Sequence, residues 1–157
     1  MDTQRSETPA EKMDRNWSEL LQELRVTQTG VQILSGFLLT LPFQARFTHL
    51  DHTQEALYLV AIGLGTVATG LLVAPVSAHR LLFRHHEKDV LVDAGDALAK
   101  AGLVALSLTI TTVLALIFSF VVGAVAAVVA SVCSLTFFLL AWLALPLALQ
   151  RKRTKQR

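Results

Sequence analysis

Few residues in this sequence could do chemistry, and they gather near one end of its apolar stretches. Arg25, Gln28 and Gln32 recur at three- and four-residue steps, so on a helix they share one face, which Leu21 and Ser35 extend. Gln32 would lie roughly 10 Å along the axis from Arg25. An amide at that depth in hydrocarbon needs a hydrogen-bond partner. Two chemistries are open to this stripe. It could hold helices together by hydrogen bonds worth about 0.6–2 kcal/mol each, or it could line a polar path for a cation or proton. Asp93, Asp96 and Lys100 form a second group at i, i+3 and i+7. With Glu19, Glu23, Arg80 and Arg84 they are expected to form ion pairs at a cytoplasmic rim. Arg25 would either pair with Asp93 or Asp96, or snorkel to lipid headgroups. Near-membrane ionisable groups can also mark a transport path, but the spans carry no Asp, Glu, Lys or Arg in their middles.

The remaining polar residues point to no reaction. His49, Asp51, His52 and Glu55 cluster in one loop, and His79, His85 and His86 in another, yet their spacing matches no zinc signature. They read as solvated loop residues, so no metal site is expected. No nucleophile with its base, no catalytic triad and no cofactor motif is present, which argues against an enzyme and against a bound cofactor. There is no Gly-rich phosphate loop and no basic stripe interleaved with aromatics, so nucleic acid is not expected as a partner. Cys133 is the single cysteine and lies in an apolar run, so no internal disulfide can form.

The elements that must position these groups are apolar helices. Of the 157 residues 53% are hydrophobic and 17% charged, with a mean hydropathy of +0.52; soluble domains carry about 25% charged residues. The charges crowd into the first 25 residues, 79–100 and the last seven. That pattern predicts an all-α polytopic membrane protein, a four-helix transmembrane bundle. Residues 1–15 are expected to be a disordered tail. Asn16, with Glu19 as capping-box partner, would start a helix running through the first span, residues 24–43, which ends at Pro42. Arg25 and Arg46 bracket this span at roughly 31 Å, about one hydrocarbon thickness. A second span covers 55–76, with Tyr58 near its interfacial end. The uncharged run 101–149 is too long for one crossing, so it must fold back, with Gly123 as the turn, into spans at 102–121 and 125–148. The membrane domain is thus 16–150, followed by a polybasic tail, 151–157.

All 14 Lys and Arg residues except Arg46 fall in the segments on one side of these spans. The excess of positive charge inside the cell then predicts that both termini are cytoplasmic, in the cell membrane. The basic tail is expected to contact anionic lipid headgroups. Small residues at four-residue spacing permit close helix packing. They form the rows Ala61–Gly65–Thr69, Thr66–Gly70–Ala74, Ser107–Thr111–Ala115–Ser119, Gly123–Ala127–Ser131 and Ala126–Ala130–Ser134. These rows suit packing within the bundle or, for one of them, a homo-oligomer contact.

The strings "ELLQELRVTQTGVQIL", "FLLTLPFQARF" and "APVSAHRLLFR", with the basic tail, resemble an uncharacterised family of small four-span membrane proteins, mainly actinobacterial. The resemblance covers roughly residues 15–153 and implies a four-helix membrane protein. Some members of that family carry a transferred label of sodium:proton antiporter. The residues themselves favour an accessory or interaction protein of the cytoplasmic membrane, acting on a partner membrane protein. The alternative is an oligomeric cation or proton transporter with Arg25, Gln28, Gln32 and Asp96 along its path.

Overall fold

The computed structural model describes residues 9–82 and 88–144, with side chains placed for 15, 18–77 and 94–142. Its elements are α1 (Pro9–Thr40), α2 (His52–Leu82), α3 (Lys88–Val121) and α4 (Ala124–Leu139). Two 3-10 turns, Leu41–Phe43 and Ala45–His49, connect α1 to α2, and α4 runs on into a π-helical turn at Leu140–Ala144. No strand occurs among the described residues.

Helix α1 begins upstream of the expected Asn16 cap. Pro9 suits a first helical position, and "AEKM" after it contains strong helix formers, so Asn16 is carried inside the helix. The far end is set by Pro42, which lacks the N–H that would bond the Leu38 carbonyl; the chain tightens there into a 3-10 turn. Helix α2 opens with a reciprocal cap. The Asp51 carboxylate accepts from the Gln54 N–H at 2.9 Å, and the Gln54 side-chain oxygen accepts from the Asp51 N–H at 3.1 Å. Between α3 and α4 the chain reverses within Val122 and Gly123. Gly123 sits at φ 125°, a conformation that glycine adopts without the strain a Cβ would bring.

Three helical stretches are long and apolar enough to cross a membrane: His52–Ser77, Ala94–Val121 and Ala124–Trp142. Helix α1 is not among them, because Thr27, Gln28, Thr29 and Gln32 interrupt its apolar residues.

The chain divides into two compact units. The first holds the chain up to Phe37 together with Gly65–Ala105. Its core is Leu24, Val31, Ala68, Leu72, Pro75 and Ala99. Gly102 brings α3 against α2 so closely that a Cβ there would lie 2.7 Å from Leu72 Cγ. The second unit holds Leu38–Leu64 and the chain from Leu106 onward. Its interior is built from small and hydroxylated residues: Ala61, Ser107, Thr109, Thr111, Ala115, Ala127 and Ser134 are buried. Small side chains let helix backbones approach closely, which is how helices associate where water supplies no drive. The Thr111 and Ser134 hydroxyls meet at 2.9 Å and join α3 to α4. Other hydroxyls bond back to their own helix, as Thr69 does to the Gly65 carbonyl at 2.8 Å and Ser131 to the Ala127 carbonyl at 2.8 Å.

These cores sort the small-residue rows. Ser107–Thr111–Ala115 is buried throughout, and so are Ala61 and Gly65. Thr66 and Gly70 are exposed, and nothing lies within 4 Å of where a Gly70 Cβ would stand.

Candidate functional site

The polar residues of α1 differ in burial and in bonding. The helix buries a narrow seam at seven-residue spacing, Leu24, Val31 and Leu38. Gln28 lies at the edge of that seam. Gln32, four residues on, is turned about 40° further round the helix. The two amides therefore have different surroundings. Gln28 is half-buried and its Nε2 donates to the Leu72 carbonyl at 2.8 Å. That acceptor is next to the Leu71 carbonyl, the one that Pro75 leaves without its helical donor. A side chain from a neighbouring helix is a usual way to serve a proline-opened turn in an apolar setting. Gln32 is exposed, and among the described residues its amide bonds to nothing. Gln28, Val31 and Gln32 face Thr69, Leu72 and Val73 across a narrow crevice. The crevice is too narrow to admit a water molecule.

Gln32 belongs instead to an outward line on α1. Gln22, Arg25, Thr29, Gln32 and Gly36 follow one another at alternating three- and four-residue steps, and all are exposed. Thr29 satisfies its hydroxyl on the Arg25 carbonyl at 3.0 Å. A Cβ at Gly36 would meet nothing within 4 Å.

Two ion pairs among the described residues involve the rim charges. Asp96 is bound by Lys100, one turn along the same helix. Arg25 is exposed, and among the described residues no carboxylate pairs with it. Of the two carboxylates expected for Arg25, Asp96 pairs within α3, as the i, i+4 spacing favours, and the Asp93 side chain lies outside the described residues. Glu19 pairs with Arg15 at 3.7 Å, again within one helix; Glu23 is exposed and has no ion-pair partner among the described residues. The side chains of Arg80, Arg84 and Asp93, with the tail 151–157 and residues 1–8, lie outside the described ones. Among the described residues no three His, Cys, Asp or Glu side chains gather as metal ligands. His52 faces Glu55 at 3.6 Å, both of them exposed.

Two sites of polar bonding lie at positions to which sequence reasoning assigned no such role. Tyr58, expected at the interface, is buried. Its hydroxyl donates to the Leu38 carbonyl at 3.2 Å, the group that Pro42 deprives of a donor. Its ring stands edge-on to Phe47, with centroids 5.0 Å apart. Gln54 is buried as well: its oxygen serves the α2 cap while its Nε2 reaches Ser119 Oγ at 3.4 Å. The signals were present in the sequence, as the D-x-x-Q capping pattern in "DHTQ" and the carbonyl four residues before Pro42.

A family model matches the sequence over most of its length. The chain belongs to DUF6328, a family of unknown function. The match covers residues 6–146, from before the described start of α1 to past the π-helical turn. No curated protein matches the chain, and no solved structure does.

Proposed function

We propose that this DUF6328 protein is a multi-pass protein of the cytoplasmic membrane that works as an accessory subunit, docking a partner membrane protein against the exposed line of α1. In this reading α1 supplies the first of four spans, at residues 24–43, beside the three apolar helices. Both termini lie on the cytoplasmic side, the orientation that the Lys and Arg distribution favours, and the basic tail rests on anionic lipid headgroups.

One observation carries the proposal: Gln32 is exposed and, among the described residues, unbonded, and in this reading it lies at mid-span. In hydrocarbon an amide without a partner is unfavourable, and glutamines in such positions bond across helices. Gly36, one turn on with open space over it, would let a partner helix come close. Arg25, which no carboxylate pairs among the described residues, offers that partner a cation at the headgroup level.

The second reading is a cation or proton transporter of the sodium:proton antiporter kind, motivated by the polar residues of α1. It is disfavoured by the dryness of the crevice beside Gln28 and Gln32 and by the absence of Asp, Glu, Lys and Arg from the middle of the spans. The test is site-specific photo-crosslinking from position 32 in cell membranes, with position 26 on the apolar side of α1 as control. Crosslinks from position 32 to a different membrane protein, lost on adding Gly36→Ile, are expected. Recovery of the chain only as monomer or crosslinked to itself would overturn the proposal. Cation-dependent proton flux in proteoliposomes, abolished by Gln32→Leu, would favour the transporter instead.

A further inference from the structure

The connection between α1 and α2 forms an apolar pocket with a single cation at its edge. Leu41, Phe47 and Leu50 from the connection face Leu116, Ile117 and Phe120 of α3, around a volume of about 160 Å3. Apolar walls of this kind favour a hydrocarbon chain over water. Gln44 and Arg46 are its polar members, and both are exposed.

Among the described residues Arg46 has no counter-ion. The acids nearest in sequence are engaged: Asp51 caps α2 and Glu55 faces His52. Among the described residues no carboxylate pairs with Arg46, which is also the single Lys or Arg on its side of the spans. The pocket lies where α3 ends, at Val121, and just before the apolar stretch that begins at His52. In a bilayer that is the level at which hydrocarbon meets headgroups. A guanidinium there presents a planar fork of donors that matches a phosphate.

We propose that this pocket is a binding site for one anionic phospholipid, with an acyl chain between the connection and α3 and the headgroup phosphate on Arg46. The assignment rests on the membrane placement given above and is independent of docking at α1. Its chemistry is that of an amphiphile: a carbon-lined slot holds a chain, and one uncompensated cation selects a negative head. Exposed Ile117 and Val121 continue the slot outward, so a chain can enter from the side.

The experiment is native mass spectrometry of the full chain in neutral detergent. It is titrated in parallel with dioleoyl phosphatidylglycerol, dioleoyl phosphatidylcholine and oleate. Because the basic tail also attracts anionic lipid, the titrations use a variant with Arg151, Lys152, Arg153, Lys155 and Arg157 changed to Gln. One phosphatidylglycerol is expected to remain bound, with phosphatidylcholine weaker by about tenfold, the ratio that one charge-assisted contact supports. Arg46→Gln, at an exposed position, should erase that preference. Ile117→Trp should reduce the binding of both phospholipids by narrowing the slot. Equal binding of the two phospholipids, a preference that survives Arg46→Gln, or oleate binding as tightly as phosphatidylglycerol would each overturn the assignment.

Discussion

Gly102 offers the sharpest test of the packing. An added methyl would stand 2.7 Å from Leu72 Cγ, 2.9 Å from Cδ2 and 3.3 Å from Leu71 Cβ, where ordinary contacts begin at 3.4 Å. Leu72 is 0% exposed, so it cannot swing aside into solvent or lipid. Relief must come from moving α3 off α2 or from forcing Leu72 off its rotamer. Such overpacking costs about 1–3 kcal/mol. Against it stands the gain in helix propensity from Gly to Ala, about 0.8–1 kcal/mol. The net loss for Gly102→Ala is then about 0–2 kcal/mol. Gly70 separates the two contributions: a methyl there meets nothing within 4 Å, so Gly70→Ala should stabilise by up to about 1 kcal/mol. The difference between the variants, about 1–3 kcal/mol, is the steric cost alone. Equilibrium unfolding in mixed micelles, followed by circular dichroism, measures both. Leu72→Ala should be less harmful in the Gly102→Ala background than in the wild type, since the two changes share one clash. Equal stabilisation by Gly102→Ala and Gly70→Ala would refute the close α2–α3 approach.

Other bonds make further predictions. Tyr58→Phe keeps the ring on Phe47 but leaves the Leu38 carbonyl without its donor, and should lower stability by about 0.6–1.7 kcal/mol in the same unfolding assay. Thr111→Val, Ser134→Ala and the double variant should show a coupling of about 0.6 kcal/mol; strict additivity would mean that the two hydroxyls do not bond. Asp51→Ala removes half of the reciprocal cap at a cost of about 0.5–2 kcal/mol. Hydrogen exchange should then quicken first at the amides of His52–Glu55, and unchanged exchange there would contradict the cap.

The parts of the fold that could be read from sequence are those governed by one residue's own backbone chemistry. Gly123 marks a turn because an uncharged run too long for one crossing contains a glycine near its middle, and the chain reverses there at φ 125°. Pro42 marks the end of α1 for an equally local reason. Asn16 misled because a capping residue acts only where a helix has yet to begin, and the strong helix formers after Pro9 begin it earlier. The candidate site was legible in its residue types but not in its geometry. Gln28 and Gln32 share a face on a helical wheel, yet the 40° between i and i+4 decides that one reaches Leu72 while the other stays exposed. That outcome depends on where α2 lies, which no pattern within α1 records. Asp96 likewise had several basic residues within its expected group, and Lys100, one turn along its own helix, holds it.

The two-residue reversal at Gly123 also bears on how the chain is made. A helical pair enters a bilayer by carrying its connecting loop across, and each charge in that loop raises the barrier. Val122 and Gly123 contain no ionisable group, and neither do the residues on either side of them. On the membrane reading, α3 and α4 can therefore slip in together as a pre-folded wedge with nothing to drag through the hydrocarbon. The link between α1 and α2 has no such freedom, because Arg46, His49 and Asp51 must pass with it. The insertion machinery would thus be needed chiefly for the first half of the chain, and the second half would follow on its own.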